Sequence, residues 1–237
     1  MKRQRKEEHL QRADMAGRFG RYSKESGQDV RTAGQTSSPV MDAFRKAWNA
    51  LKFSVDTYGV ENLVRYSKML KSLSVFNGLL FGPKDVAAFS LAMKEFEDDP
   101  NFSSKAGSFL SVLIRLGPKG KYTIYTNHLD KKINWLGRHN RKGRTIIVQG
   151  DVGDGIGDKM SGGKIIIHGN AGSAAGTNLL GGTIIIKGDC GDLVGLASLG
   201  GVIRIEGDYE GEIIAVEGGE SCRVFHKGKL ISGGDSG

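Results

Sequence analysis

A repeat of about 19 residues in the C-terminal half of the chain constrains the fold more than any other feature. Four similar runs follow one another, each made of a strand-like stretch and a glycine-rich connection. The glycine that closes each strand-like stretch stands at Gly150, Gly169, Gly188 and Gly207, so the interval is constant. A fixed period of this size is typical of a solenoid, in which every repeat forms one coil and packs on its neighbours.

Inside each repeat, apolar residues alternate as β-strands require. The residues four and two positions before the closing glycine are aliphatic in every copy: Ile146 and Val148, Ile165 and Ile167, Ile184 and Ile186, Ile203 and Ile205. One strand per coil would bring each strand beside its predecessor, in parallel and about 4.8 Å apart, with these side chains facing inward. The pattern therefore predicts a parallel β-helix of about four coils over residues 144–219.

The outward position three residues before the glycine carries Ile147, Ile166 and Ile185, and then Arg204. Three stacked isoleucines on the outside of a solenoid form an apolar stripe, and such a stripe usually marks a covered surface. The cover is either the chain's own helical region or another protein. We therefore treat the three isoleucines as candidate partner contacts.

The preceding region, residues 39–118, predicts a small α-helical domain. Ser38 followed by Pro39 suits a helix start, and Gly117 followed by Pro118 suits the last helix end. Apolar residues at intervals of three and four predict four helices between them. The four stripes are Phe44, Trp48, Leu51 and Val55; Leu63, Tyr66, Leu70 and Leu73; Val86, Phe89, Met93 and Phe96; and Phe109, Val112, Leu113 and Leu116.

Two further segments complete the predicted organisation. Residues 1–38 carry nine basic and five acidic groups with little apolar periodicity, which predicts a disordered basic arm. Residues 119–237 form the predicted β-helix domain, in which residues 122–125 are a degenerate first strand and residues 129–142 an irregular connection. The fold class expected for the whole chain is α+β.

Basic residues concentrate just before the repeats. Residues 119–149 contain eight Lys and Arg against one carboxylate, and Trp135 and His139 lie among them. Such a block suits either an acidic protein partner or nucleic acid, and the sequence leaves both open. The block's candidate contact residues are Arg138, Arg141, Lys142 and Arg144, with Lys131 and Lys132 nearby.

Several other patterns resemble nucleotide-binding or metal-binding motifs but do not fit them. The glycine-rich run 153–157 precedes another strand, whereas a dinucleotide fingerprint precedes a helix. Asp151, Asp154 and Asp158 suggest calcium, but the next repeat has no carboxylate at these positions. Cys190 and Cys222 have neither the spacing of a zinc site nor that of a disulfide framework.

The sequence also bears on the cellular location and on a possible enzymatic activity. The sequence has no apolar run near the ~18 residues of a membrane span and no secretory h-region, so we expect a cytoplasmic protein. A carbohydrate-active β-helix is the enzyme alternative. Such an enzyme requires carboxylates close together for acid and base catalysis. Its candidates would be Asp189, Asp192, Glu206, Asp208 and Glu210.

The run GDVGDGIGDKMSGGKIIIHGNAG, with its two following copies, resembles the GXGXG domain at the C-terminal end of the glutamate synthase large subunit. The same domain occurs in the C subunit of formylmethanofuran dehydrogenase. The preceding YTNHLDKKINWLG is similar to the segment that leads into the repeats in those proteins. The resemblance covers roughly residues 121–232, in the spacing of the glycines, the Met-Ser-Gly-Gly run and the isoleucine-rich strands.

This resemblance implies a right-handed β-helix that packs against catalytic subunits and itself carries no catalytic, cofactor-binding or metal-binding residue. Flavin and iron-sulfur groups would then belong to the partner subunits. The expected function is a non-catalytic scaffold in a glutamate synthase-like oxidoreductase assembly, with a component of a formylmethanofuran dehydrogenase-type complex as the alternative. A homo-oligomer, a nucleic-acid-associated protein and a carbohydrate-active protein are the remaining alternatives.

Overall fold

Seven strands form a single sheet in chain order in the computed structural model, which describes residues 38–51, 78–214 and 222–232. The strands are β1 Gly120–Tyr125, β2 Arg144–Gln149, β3 Ser161–Ile167, β4 Gly181–Ile186, β5 Val202–Ile205, β6 Arg223–His226 and β7 Lys229–Ser232. The helices are α1 Pro39–Ala50, α2 Pro83–Ala92 and α3 Phe102–Leu116, with a 3₁₀ helix Met93–Phe96 after α2.

The expected register is confirmed. Strands β1 to β6 are parallel, and Ile146, Ile165, Ile184 and Ile203 lie beside one another in neighbouring strands. The chain is thus a parallel β-solenoid with coils of about 19 residues, preceded by helices, and α+β as a whole. The last strand reverses direction, because β7 pairs antiparallel with β6.

Some predictions fall outside the described residues. They are the arm apart from Ser38, the helical stripe of Leu63, Tyr66, Leu70 and Leu73, and Val55 at the end of the first stripe. Residues 215–219, the end of the predicted four coils, also lie there. Among the described residues, no helix has the length and apolar character needed to cross a membrane.

The interior of the solenoid is a ladder of aliphatic side chains. The inward residues of β2 to β5 have no more than 1% of their surface exposed, and the interior of β1 is filled by Tyr122 and Ile124, both 0% exposed. Complete burial of such a side chain stabilises the fold by about 1.5–3 kcal/mol. Stacking of like residues in register therefore supplies the main cohesion between coils.

Left-handed backbone corners turn each coil. Gly157 and Gly176 lie at one of these corners with φ of 70° and 72°. A Cβ atom at these two positions would come within 2.6 Å of Ile184 Cδ1 and within 2.5 Å of Ile203 Cδ1. Glycine at this corner thus leaves the space that the isoleucine ladder occupies.

The segment before β2 is more regular than the predicted irregular connection. Trp135 and His139 adopt φ of 63° and 55°, and the next coil repeats these corners at Gly155 and Lys159. The interval between corresponding corners is one residue longer here than in the later coils, where Ala174 follows Gly155. One inserted residue, and Thr126 in place of the glycine that closes the later strands, concealed these corners in the sequence.

The helices close the β1 end of the stack. Helix α2 packs against β1, where Ser90 Oγ accepts a hydrogen bond from Tyr125 N at 3.0 Å. Helix α3 lies on the first coil, where Ser111 Oγ accepts a hydrogen bond from Gly137 N at 2.9 Å. Covering the edge of a terminal strand protects its unpaired backbone groups. The described helices and strands share one hydrophobic core, within a compact unit that begins at Ser38.

The helices themselves follow the predicted stripes. Helix α1 begins after Ser38, whose Oγ accepts a hydrogen bond from Met41 N at 3.2 Å. The third predicted helix is divided in the structure, because α2 ends at Ala92 and a 3₁₀ turn continues to Phe96. Aromatic contacts join the three helices, among them Phe44 on Phe89 at 5.4 Å and Trp48 on Phe109 at 5.5 Å between ring centroids.

Candidate functional site

The outward-facing side chains of β1 to β6 form three columns along the stack, and we call the surface that they make the outer face. The central column is Thr123, Ile147, Ile166, Ile185, Arg204 and Phe225. The first flanking column is Lys121, Thr145, Lys164, Thr183, Val202 and Arg223. The second flanking column is Tyr125, Gln149, His168, Lys187, Glu206 and Lys227.

The central column is apolar over most of its length. Ile147, Ile166 and Ile185 pair with one another in register, and each is half-buried. Past β4 the column becomes mixed, because Arg204 is exposed and its guanidinium carbon lies 4.4 Å from the ring centroid of Phe225. The main contact of the described helices with the strands is on β1, and Ile166 and Ile185 are two and three strands away from it.

Both flanking columns contain basic side chains, but those of the second column, Lys187 and Lys227, are paired with Glu206 and Asp208. Together the three columns hold six Lys and Arg, and their only carboxylate is Glu206, whose Oε1 binds Lys187 Nζ at 2.5 Å. Lys121, Lys164 and Arg223 form no ion pair within the described part of the chain. The first flanking column therefore presents positive charge that is not neutralised by its neighbours.

The candidate basic block divides into two parts. Arg138 Nε lies 2.7 Å from Asp158 Oδ2, and the two side chains are only 9% and 3% exposed. The guanidinium of Arg144 donates hydrogen bonds to the backbone oxygens of Ile114, Arg115 and Gly117, at distances of 2.9 to 3.1 Å. These two arginines therefore bind within the chain.

The remaining two candidates of the block, Arg141 and Lys142, are exposed. Beside them, burial and the positive charge of Arg138 lower the pKa of His139 to about 4. His139 is thus neutral near pH 7. Among the four candidates, the available charge therefore comes from Arg141 and Lys142.

Most of the carboxylates considered for calcium or acid-base chemistry hold coils together. Asp151 Oδ1 accepts a hydrogen bond from Asn170 N at 2.7 Å, and Asn170 Oδ1 accepts one from Asp189 N at 2.8 Å. Asp189 Oδ1 in turn accepts one from Asp208 N at 2.8 Å. We call this series the Asx ladder. Its signal in the sequence was an Asp or Asn directly after each closing glycine, which sequence analysis did not use.

A second, shorter series runs along the next corner. Asn134 Oδ1 accepts a hydrogen bond from Asp154 N at 3.0 Å, and Asp154 Oδ1 accepts one from Ser173 N at 2.9 Å. Asp158 completes the set of suggested calcium ligands, and it is paired with Arg138. In the described ranges, no group of three or more His, Cys, Asp or Glu side chains is placed to hold a metal ion.

Three of the five carboxylates considered for carbohydrate chemistry are likewise engaged. Asp189 belongs to the Asx ladder, and Glu206 binds Lys187. Lys227 Nζ binds Asp208 Oδ1 at 2.5 Å and lowers the pKa of that carboxyl group. A carboxyl group with a lowered pKa stays ionised at neutral pH, so Asp208 is unsuited to the general acid role.

The two cysteines are free and buried. Burial raises the pKa of Cys190 to about 12 and also raises the pKa of Cys222. Nucleophilic or metal-binding cysteines act as thiolates. Both thiols are therefore interior packing groups.

Comparison of the chain with protein-family models, with curated proteins and with solved structures produced no match. The resemblance to the GXGXG domain stays a prediction.

Proposed function

We propose that this chain is a non-catalytic scaffold subunit that docks another protein on the outer face of its β-solenoid. The observation that carries the proposal is the central column, in which Ile147, Ile166 and Ile185 form a continuous apolar stripe beside the basic first flanking column. A rigid, flat, apolar surface with a polar rim is the usual anatomy of a protein interface.

The chemistry of the solenoid supports the same role. Asp151, Asp154, Asp189 and Asp208 use side-chain oxygens to accept hydrogen bonds or to hold a lysine, and both thiols are buried. Reactive groups would need partners poised for proton transfer, whereas these groups are occupied with joining coils. These groups thus join neighbouring coils and support the outer face as a docking surface.

The finer part of the proposal concerns the partner. From the sequence resemblance, we expect catalytic subunits of a glutamate synthase-like oxidoreductase in the cytoplasm, with a formylmethanofuran dehydrogenase-type complex as the alternative. Flavin and iron-sulfur groups would be held by those subunits. The support for this part is the similarity of the repeat, including the Met-Ser-Gly-Gly run and the spacing of the glycines.

Purification of the tagged full-length chain from its native host tests both parts. Under the proposal, stoichiometric subunits with flavin absorbance and bound iron elute with the chain. The Ile166→Asp variant should lose these subunits, because a carboxylate replaces an apolar side chain at the centre of the face.

The matched control is Leu80→Asp, since Leu80 is 91% exposed and lies in the helical region. This variant should retain the subunits. A chain that elutes alone as a monomer would contradict the docking role. Companions without flavin or iron would contradict the oxidoreductase assignment.

A further inference from the structure

The length of the central column and the spacing of its side chains match the dimensions of an α-helix. Neighbouring strands lie about 4.8 Å apart, so the four steps from Ile147 to Phe225 cover about 19 Å. An α-helix has a pitch of about 5.4 Å, close to the strand spacing, and about 13 residues cover the same length. A helix along the stack would thus place one apolar side chain over nearly every strand.

Backbone hydrogen bonding favours a helix over an extended segment. The strands of the face already use their backbone groups to pair with one another, so the face offers only side chains. An extended peptide lying on it would leave its own N–H and C=O groups without partners above an apolar column. A helix satisfies these groups internally and needs only side-chain contacts.

The unpaired positive charge of the first flanking column favours a docked segment with negative charge. Lys121, Lys164 and Arg223 line one side of the apolar column, and the Arg204 guanidinium is exposed within it. Glu and Asp side chains on one side of a docked helix would lie within reach of these cations. Complementary charge of this kind sets orientation and excludes wrong partners.

The chain's own remaining segments do not match this surface. Residues 1–37 carry nine basic and five acidic groups, and residues 52–77 carry four basic and two acidic groups. Residues 215–221 and 233–237 carry three carboxylates and no basic group, but each is shorter than the length of about 13 residues that a helix along the column requires. The outer face of a second copy is equally basic. Electrostatic complementarity therefore points to a different, acidic protein.

We infer that the outer face binds an acidic amphipathic helix of a partner protein, with apolar side chains on the central column and carboxylates toward Lys164 and Arg223. This inference rests on the proposed docking role and specifies its occupant. The site consists of Ile147, Ile166, Ile185 and Phe225 in the centre and the cations of the first flanking column.

A synthetic peptide provides the direct test. The probe is a fluorescent helical peptide of about 16 residues in which Leu at helical spacing forms one face and Glu flanks it. Its fluorescence anisotropy should rise when the full-length chain is added. A peptide of the same composition in scrambled order, and a peptide with Lys in place of Glu, should each bind at least about tenfold more weakly.

Variants of the chain locate the binding site. Ile166→Asp should weaken binding of the acidic peptide by about tenfold or more, and Leu80→Asp should leave it unchanged. The double variant Lys164→Glu with Arg223→Glu keeps the apolar column intact and should also weaken binding, most strongly at low salt. It provides an independent test if Ile166→Asp lowers the stability of the fold, which circular dichroism would reveal.

Four outcomes would overturn the inference. They are equal binding of the scrambled peptide, binding that survives both outer-face variants, self-association of the chain through Ile166, and displacement of the peptide by duplex DNA or RNA. The two proposals also fail separately. If the chain retains its native subunits but does not bind the peptide, only the proposal of a docked helix is contradicted. If the chain binds the peptide but has no native companions, only the scaffold role is contradicted.

Discussion

At the scale of single residues, Asp189 shows how one side chain joins two coils. Its Oδ1 atom accepts a hydrogen bond from Asp208 N, and Asn170 makes the equivalent bond to Asp189 N. The ladder position therefore needs a carbonyl-type oxygen on a short side chain, and charge is not essential to it.

This leads to a prediction with a built-in control. Asp189→Ala should lower the free energy of unfolding by about 0.5–1.5 kcal/mol, since one hydrogen bond between coils is lost. Asp189→Asn should lie close to the wild type, because Asn170 already fills the same position one coil earlier. Urea unfolding of the three proteins measures the difference. Equal losses for Ala and Asn would show that the carboxylate charge matters instead.

His139 predicts how stability depends on pH. Burial and Arg138 hold its pKa at about 4, whereas an unfolded histidine titrates near its ordinary value of 6.5. Between these two values the unfolded state binds more protons, so stability is complete above pH 6.5 and falls as the pH is lowered toward 4. Because the side chain is only half-buried, the loss attributable to His139 should be about 1–2 kcal/mol.

The variant His139→Asn tests this assignment. Asparagine tolerates the left-handed conformation of this corner, and Asn178 occupies the equivalent corner two coils later with φ of 52°. Denaturant unfolding at several pH values should give a flatter profile between pH 6.5 and 4 for the variant. An unchanged profile would assign the pH dependence to other groups.

At the scale of elements, Arg144 joins the end of a helix to the start of a strand. It is the first residue of β2, and its guanidinium binds three backbone oxygens at the C-terminal end of α3. A cation there satisfies carbonyl groups that the helix cannot pair and also stabilises the helix dipole.

Replacement of Arg144 should therefore loosen the helical cap. Arg144→Gln should lower the free energy of unfolding by about 2 kcal/mol, because charged hydrogen bonds to half-buried carbonyls are lost. The exposed neighbour Arg141 is the control, and Arg141→Gln should change stability by less than about 0.5 kcal/mol. Thermal or urea unfolding compares them. A similar loss in both variants would indicate a general effect of net charge.

The same elements show what sequence reasoning captures. Strands β2 to β5 and their register follow from the strict interval of the glycines, and a slip of one residue would turn the inward isoleucines outward. Strand β1 was predicted, but the regular corners that follow it were not. The interval from Trp135 to Gly155 is one residue longer than the later ones, and Thr126 stands where glycine follows the later strands.

For the candidate site, sequence reasoning identified the isoleucine column and not the basic first flanking column. Lys121, Lys164 and Arg223 are widely separated in the chain, and they align only when the register of all six parallel strands is known. The sequence also does not distinguish Arg138 and Arg144, which bind within the chain, from the exposed Arg141. Burial of an individual arginine depends on tertiary contacts.

At the scale of the whole molecule, the shared core predicts a single cooperative transition. Trp48 lies in α1 and Trp135 in the first coil, so the variants Trp135→Phe and Trp48→Phe report on the helices and the solenoid separately. Their urea midpoints by fluorescence should agree within about 0.5 M after correction for the mutations. Clearly separate midpoints would show that the helices unfold as a unit of their own.

The reversal at β7 limits how copies of this protein associate end to end. A filament of stacked solenoids would require the last strand of one copy to template the first strand of the next. Here that first strand lies beneath α2, and the last strand runs the opposite way. Among the described strands, β7 pairs only with β6, and its other side can pair with the same side of a second copy across a twofold axis, which would join two copies and leave no described strand edge for further growth.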